Sequence, residues 1–150
     1  MFRFNHMELT VPKGTLDASR EEIRRFYGEV FGFDSLDVPI LKQTGLLLRT
    51  DPETSQFILV TEQRNHLHCP GFDHLGFLFD TRAEVDALLE ECKKRQERDP
   101  RVEIKEYDDL VTGGTTVRAF YVRFLLPIWF DVQCIEHAPG SEPERAWRFA

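Results

Sequence analysis

The sequence predicts an α+β fold of two tandem βαβββ modules, forming a partly closed mixed sheet with helices on the outer face. Three observations carry this reading. FNHMEL at Phe4–Leu9 and FDHLGF at Phe72–Phe77 repeat one pattern nearly half a chain apart. Each repeat is followed by a capping signal and an amphipathic helix. Each helix is followed by short β-branched and aromatic runs separated by turn residues.

Taken in order, residues 4–11 form the first strand. Ser19 and Glu22 make an S-x-x-E box opening SREEIRRFYGEVFG, in which Ile23, Phe26, Tyr27 and Val30 recur at helical spacing. Gly32 stops that helix. A weak DSLDV run, then GLLLRT and QFILVTE, complete the first module over residues 3–63, with turns expected at Thr44-Gly45 and Asp51-Pro52. A linker containing His66, His68, Cys69 and Pro70 leads to the second module, residues 71–137. There Thr81 and Glu84 open TRAEVDALLEECKKRQ, whose apolar stripe is Val85, Leu88, Leu89 and Cys92 and whose stop is Asp99-Pro100. VEIKEYDD, TTVRAFYVRF and IWFDVQCIE follow as strands, with Gly113-Gly114 as a turn. Residues 138–150 are a polar tail carrying Trp147 and Phe149, which loop out or dock through those rings. One such module leaves a sheet face uncovered, and two side by side enclose an inward cavity.

The 150 residues suit a single domain, 41% hydrophobic and 30% charged, which is a globular composition. A net charge of −7 argues against nucleic-acid binding, which needs clustered Lys and Arg. No apolar run is long enough to span a bilayer, and the N-terminus lacks a signal-peptide core, so a cytoplasmic protein is expected. Cys69, Cys92 and Cys134 are dispersed and odd in number, and read as reduced thiols.

Strand alternation sorts the candidate site residues. Leu75, Phe77 and Phe79 belong under the helix, which puts Phe72, His74, Gly76 and Leu78 on the cavity face. In the first strand Phe4, His6, Glu8 and Thr10 share one side. His6 and His74 therefore occupy equivalent positions on related strands. Read singly, each imidazole also fits a hydrogen-bonded core residue; as a pair they point to a metal or proton-transfer site. Gly76 suits close approach of a ligand. Aligning the closing strands by Glu62 and Glu136 matches Leu59 with Gln133, and alternation makes Gln133, with Asp131, face the cavity. His66 and His68 read as a solvated loop, and His137 as exposed.

These motifs together resemble the vicinal-oxygen-chelate superfamily of glyoxalases, bleomycin-resistance proteins and extradiol dioxygenases: the FNHMEL strand, RFYGEVFGF, FDHLGF and GGTTVRAFYV followed by a closing strand. The resemblance covers Phe4 to Glu136. It implies paired βαβββ modules and a divalent metal (Fe, Mn, Ni or Zn) held by first and last strands. Carried over by position, the ligand set is His6, Leu59, His74 and Gln133. Leu59 cannot bind a metal, and Gln133 stands where members carry Glu, so an amide replaces a charge. The closing hairpin also departs from the family, with Phe124-Leu125-Leu126-Pro127-Ile128-Trp129 in place of an Asp-Pro-Asp-Gly-like turn. The family's habit of pairing subunits and the apolar Leu125–Trp129 turn imply a homodimer.

Three functions are expected to compete. In the first, a metal on His6, His74 and Gln133 chelates vicinal oxygens of a small substrate, with Glu8 or Asp131 as base, in a lyase, isomerase or dioxygenase reaction. In the second, a metal-free resistance-type protein sequesters an aromatic ligand against Phe4, Phe57, Leu59, Phe72, Gly76 and Trp129. In the third, the Leu125–Trp129 turn is an interaction surface.

Overall fold

The computed structural model describes residues 4–51 and 56–143. Its elements run β1 (His6–Val11), α1 (Thr15–Phe31), β2 (Asp34–Ile40), β3 (Gln43–Arg49) and β4 (Phe57–Glu62), then β5 (His74–Leu78), α2 (Arg82–Arg98), β6 (Glu103–Glu106), β7 (Leu110–Thr112), β8 (Thr115–Arg123) and β9 (Trp129–His137). The predicted βαβββ order is present twice. The second module adds one short strand, β7, which the sequence reading passed over because it is three exposed residues beside a turn. The strands bond as two mixed sheets, β1-β4-β3-β2 and β5-β9-β8-β6, with β7 also on β8. No helix among the described residues is long and apolar enough to cross a membrane.

The two helices start differently. Thr81 and Glu84 form the predicted capping box on α2, which satisfies otherwise orphaned N–H groups. Ser19 and Glu22 do not cap α1. That helix begins a turn earlier, after Gly14 at φ 88°, with no side-chain cap from the N-cap residue. Its first turn is instead served from the sheet, where the Glu62 carboxylate accepts the Leu16 N–H at 2.6 Å. A negative charge is well placed at that helix end. Gly32 ends α1 at φ 71°, and Asp99 ends α2, as predicted.

The β2–β3 turn also differs from expectation. Thr44 and Gly45 lie inside β3, and the chain reverses at Leu41 and Lys42, both at positive φ. Gly45 is needed for space: a Cβ there would sit 3.1 Å from Ile40 Cγ2 and 3.2 Å from the Val60 carbonyl. Gly113 and Gly114 form the β7–β8 turn at φ 54° and 85°. Asp51-Pro52 and the C-terminal tail beyond Pro143 fall partly or wholly outside the described residues.

Each helix covers one face of its own sheet. Leu16, Ile23, Phe26, Tyr27 and Val30 of α1 join Leu9, Val11, Leu46, Leu48, Ile58 and Val60 in the core, and Val85, Leu89 and Cys92 of α2 join Phe120, Val122, Val132 and Cys134. Each such side chain is worth roughly 1.5–3 kcal/mol on burial. The modules meet through the helix-covered side. Phe26 packs on Phe124 with ring centroids 4.5 Å apart, Tyr27 on Phe130 at 5.0 Å, and Phe31 on Phe77 at 6.1 Å. Tyr27 donates its hydroxyl to the Phe124 carbonyl at 3.0 Å. Arg95–Glu29 and Arg101–Glu22 ion pairs flank the seam.

That seam corrects the reading of the closing hairpin as a surface. Phe124, Leu126, Ile128 and Trp129 are all buried within the single chain. Phe124 packs on Phe26 across the seam, Leu126 and Ile128 join the buried core, and Trp129 packs on Phe72, with Leu125 at φ 56° making the bend. Among the described residues no helix covers the opposite faces of the two sheets, and Phe4, Phe72, Leu78 and Ile135 are exposed there.

Candidate functional site on the open face of the second sheet

Register places the site. In the parallel β5–β9 pair, His74 lies opposite Trp129, Gly76 opposite Asp131 and Leu78 opposite Gln133, all on the open face. The Nδ1 of His74 is 2.9 Å from the Phe72 carbonyl oxygen. A carbonyl accepts only, so Nδ1 donates to it, and Nε2 is the ring nitrogen turned toward Asp131. That Nε2 sits 3.6 Å from Asp131 Oδ2.

Asp131 is one of two buried polar or charged side chains in the described core, 7% exposed, and its Oδ1 has no hydrogen-bond partner. Burial pushes its carboxyl above the ordinary range, while the His74 imidazole pulls the other way. An orphaned buried oxygen is costly unless something binds it. An imidazole nitrogen and a carboxylate are donor types that a divalent ion takes.

Aromatic rings surround this pair. Tyr121, opposite Asp131 on β8, packs on the His74 ring at 4.7 Å. Phe72 packs on Trp129 at 5.5 Å, and Tyr107 on Tyr121 at 4.9 Å. Arg123 lies 4.5 Å over the Trp129 ring while paired to Glu103, and Trp129 donates its indole N–H to the Gly71 carbonyl at 3.1 Å. A Cβ on Gly76 would meet only the Gln133 side chain, at an ordinary contact distance of 3.4 Å from its Nε2.

The first sheet offers a counterpart. His6 lies opposite Phe57 and stacks on it at 4.8 Å, and Glu8 lies opposite Leu59. His6 Nδ1 is 2.7 Å from the Asn5 side-chain oxygen. Glu8 accepts from Thr61 Oγ1 at 2.6 Å and from Gln63 Nε2 at 3.4 Å. Phe4 is exposed before this strand.

Of the residues singled out in the sequence, the structure brings His74 and Asp131 together beside Phe72, Gly76 and Trp129. It sets Gln133 one position further along β9 on the same face, and His6, Glu8, Phe57 and Leu59 on the other sheet. Aligned by the histidine strands, Leu59 corresponds to Asp131 rather than Gln133, because His6 faces Phe57 where His74 faces Trp129. β9 is longer than β4, so matching their terminal acids slides the register by two residues while preserving the face. Tyr121, Tyr107 and Lys105 were missed; alternation in TTVRAFYVRF puts Tyr121 with Ala119 and Arg123 and carried the signal for the first. Among the described residues no three His, Cys, Asp or Glu side chains gather closely enough to share an ion.

The remaining reactive groups lie elsewhere. All three cysteines are free, Cys92 is buried and its thiol is pushed up to about 12 by burial. Glu136 faces the helix side and receives Arg82 at 2.8 Å. His137 is the last residue of β9, half-buried with Nδ1 3.1 Å from Thr115 Oγ1, not an exposed residue beyond the strand. A cleft of about 360 Å3 opens between the helices, where its acids Glu22 and Asp99 are both paired with Arg101.

No family model and no curated protein matches the sequence. Solved structures do match the fold. A protein from Bacillus anthracis described as a glyoxalase family member superposes with TM-score 0.62 at 19% identity, over 91% of this chain and 97% of that one. The fosfomycin resistance protein FosX from Listeria monocytogenes gives 0.64 at 17%, over 92% and 91%. TnmS3, an antibiotic-binding protein from Streptomyces, gives 0.60 at 19%, over 91% and 98%. FosX has also been solved complexed with Mn(II) and sulfate ion. The chain thus has the paired-module fold of vicinal-oxygen-chelate proteins, and at these identities the likeness is one of fold.

Proposed function

We propose that the chain is a divalent-metal-dependent small-molecule enzyme whose metal is held by His74 Nε2 and the Asp131 carboxylate, with His6 completing the set. The observation that carries this is the buried Asp131 carboxylate, its Oδ1 unpartnered, 3.6 Å from an imidazole nitrogen whose other nitrogen is already tied to a carbonyl. Asp131 supplies the negative charge that Gln133 lacks. The bound ion would supply Lewis-acid stabilisation of charge developing on a chelated substrate oxygen. The chain's own residues do the rest. Phe72, Tyr121 and Trp129 form an apolar wall beside His74, and Glu8, an exposed carboxylate on the His6 face, would serve as proton acceptor. The reaction class is lyase, isomerase or dioxygenase chemistry of the glyoxalase type.

Among the described residues one chain brings together two of the three donors, so the reading includes a homodimer. β1 and β5, which carry the histidines, are both sheet-edge strands. Edges with open backbone groups are suited to lie beside a second copy, and β1 of one copy beside β5 of another brings His6 to the pair. FosX in its Mn(II) form and the shared fold support the metal.

A second reading, metal-free sequestration of an aromatic ligand, is favoured by Leu59 and by the exposed Phe4 and Phe72; the antibiotic-binding TnmS3 shares the fold. Calorimetric titration with Mn²⁺, Ni²⁺ and Zn²⁺, combined with analytical ultracentrifugation, separates the two. Stoichiometric binding by a dimer, lost in Asp131→Asn, supports the enzyme. Absence of binding for all three ions overturns it.

A further inference from the structure

Paired residues on neighbouring strands point to one side of a sheet, so the open face of the second sheet is built in rows. One row reads Lys105 on β6, Tyr121 on β8, Asp131 on β9 and Gly76 on β5. The proposed metal ligand lies near one end of this row and an ammonium lies at the other.

Lys105 has no carboxylate partner among the described residues. The acids flanking it are taken: Glu103 by Arg123 at 2.8 Å and Glu106 by Lys93 at 3.1 Å. Its Nζ rests instead over two ring faces, 5.0 Å from the Phe72 centroid and 5.2 Å from that of Tyr107. Such contacts hold a cation without neutralising it. The same rings continue toward His74, with Tyr107 on Tyr121 at 4.9 Å, Phe72 on Tyr121 at 6.4 Å and Tyr121 on His74 at 4.7 Å. Gly76 in the row and Ala119 beside it add no bulky side chain to this face, and the Gln133 amide reaches to 3.4 Å from where a Gly76 Cβ would stand. The result is an aromatic floor with a free cation at one end and a half-built metal site at the other. In a chain of net charge −7, long-range attraction does not bring an anion to this face, so a local unpaired lysine has a recognisable purpose.

The spacing selects the ligand. Lys105 and Asp131 lie two strands apart, about 10 Å between backbones at ordinary strand separation. A single six-membered ring with a polar group at each end spans that gap once both side chains reach inward. We propose that this face recognises a flat aromatic acid: its ring lies over Tyr121, its anionic group meets Lys105, and an oxygen at the opposite end points to His74 and Asp131. The inference rests on the metal-site reading for that last contact alone.

The test uses the full chain and three probes, 4-hydroxybenzoate, phenol and cyclohexanecarboxylate, titrated calorimetrically with and without Mn²⁺. The protein is tested as wild type, Lys105→Met and Tyr121→Ala, each checked by thermal melt. Wild type is expected to bind 4-hydroxybenzoate in preference to both other probes. Lys105→Met should weaken the aromatic acid by roughly tenfold, the scale of one charged hydrogen bond, and leave phenol unchanged. Tyr121→Ala should weaken both aromatic probes and leave the cyclohexane acid unmoved. Loss of the Mn²⁺ effect with Lys105 dependence intact would remove the metal reading and keep this one. Mn²⁺ binding with no Lys105 dependence would do the reverse and overturn the aromatic-acid inference, as would failure of 4-hydroxybenzoate to bind wild type at all.

Discussion

The open faces of the two sheets carry the same ingredients in opposite arrangement. In the first, the acid is Glu8 on the opening strand, facing Leu59 on the closing one; in the second, the acid is Asp131 on the closing strand, facing Gly76 on the opening one. Both faces present a histidine two residues earlier with its Nδ1 tied to an oxygen. Glu8, however, is exposed and hydrogen-bonded to Thr61, whereas Asp131 is buried with one oxygen unpartnered. Exchanging a carboxylate for a small or apolar residue across one strand pair thus separates a hydrogen-bonded surface acid from a buried one with an unpartnered oxygen. In the proposed site, two modules of one design would supply different parts.

The largest effect expected is on the pair itself. His74→Ala should weaken Mn²⁺ binding by about a hundredfold or more, roughly 3 kcal/mol, and His6→Ala should weaken it less while leaving the monomer fold intact; equal effects would erase the distinction between the faces. Next comes Leu59→Asp, which copies the second module's acid into the first. Leu59 is 6% exposed, with Glu8 opposite. A second carboxylate there should destabilise the chain by about 2–3 kcal/mol in urea denaturation, and unchanged stability would mean that the first face is as receptive as the second.

Asp131→Asn sharpens the comparison through pH. The folded-state value of Asp131 is raised by burial, so the fold disfavours the ionised form. Below the ordinary carboxylate range the group is protonated in both folded and unfolded chains and costs nothing. As pH rises from that range through the raised value, the cost grows to its full size. The metal-free Asn variant should therefore melt about 2–6 °C above wild type near neutrality, for about 1–2 kcal/mol of relieved burial, and the gain should vanish in acid. No gain at neutral pH would mean that Asp131 is satisfied. Smaller still, Tyr27→Phe should cost about 1 kcal/mol by losing the hydrogen bond to Phe124 that joins the modules, measurable as a shifted urea midpoint. Smallest, Gln133→Glu should change Mn²⁺ affinity by less than about threefold, since Gln133 lies one row beyond Asp131.

Much of this was legible in the chain. The repeat around His6 and His74, the α2 capping box and the alternating strands all express local rules, and they produced the elements in order. What was not legible depended on distant partners. The start of α1 is fixed by Glu62, 46 residues away from the Leu16 N–H it receives. Phe124, which leads into the apolar turn, packs on Phe26 of α1 in the other module, and Trp129 at its end packs on Phe72. Asp131 was singled out by alternation, yet its standing beside His74 came from parallel register, which terminal acids on strands of unequal length misplace.

The parallel pairing also sets an order of events in synthesis. Among the described residues β1 bonds to β4, and β5 bonds to β9. The strand carrying His6 has no neighbour until residues 57–62 have left the ribosome, and the strand carrying His74 has none until residues 129–137 have. Such delayed closure of distant segments is intrinsically slow. The first module can close while the second is still being made, but the imidazole–carboxylate pair forms only when β9 docks. A nascent chain interrupted before β9 would present β5 as a bare edge, ready to pair with another molecule instead.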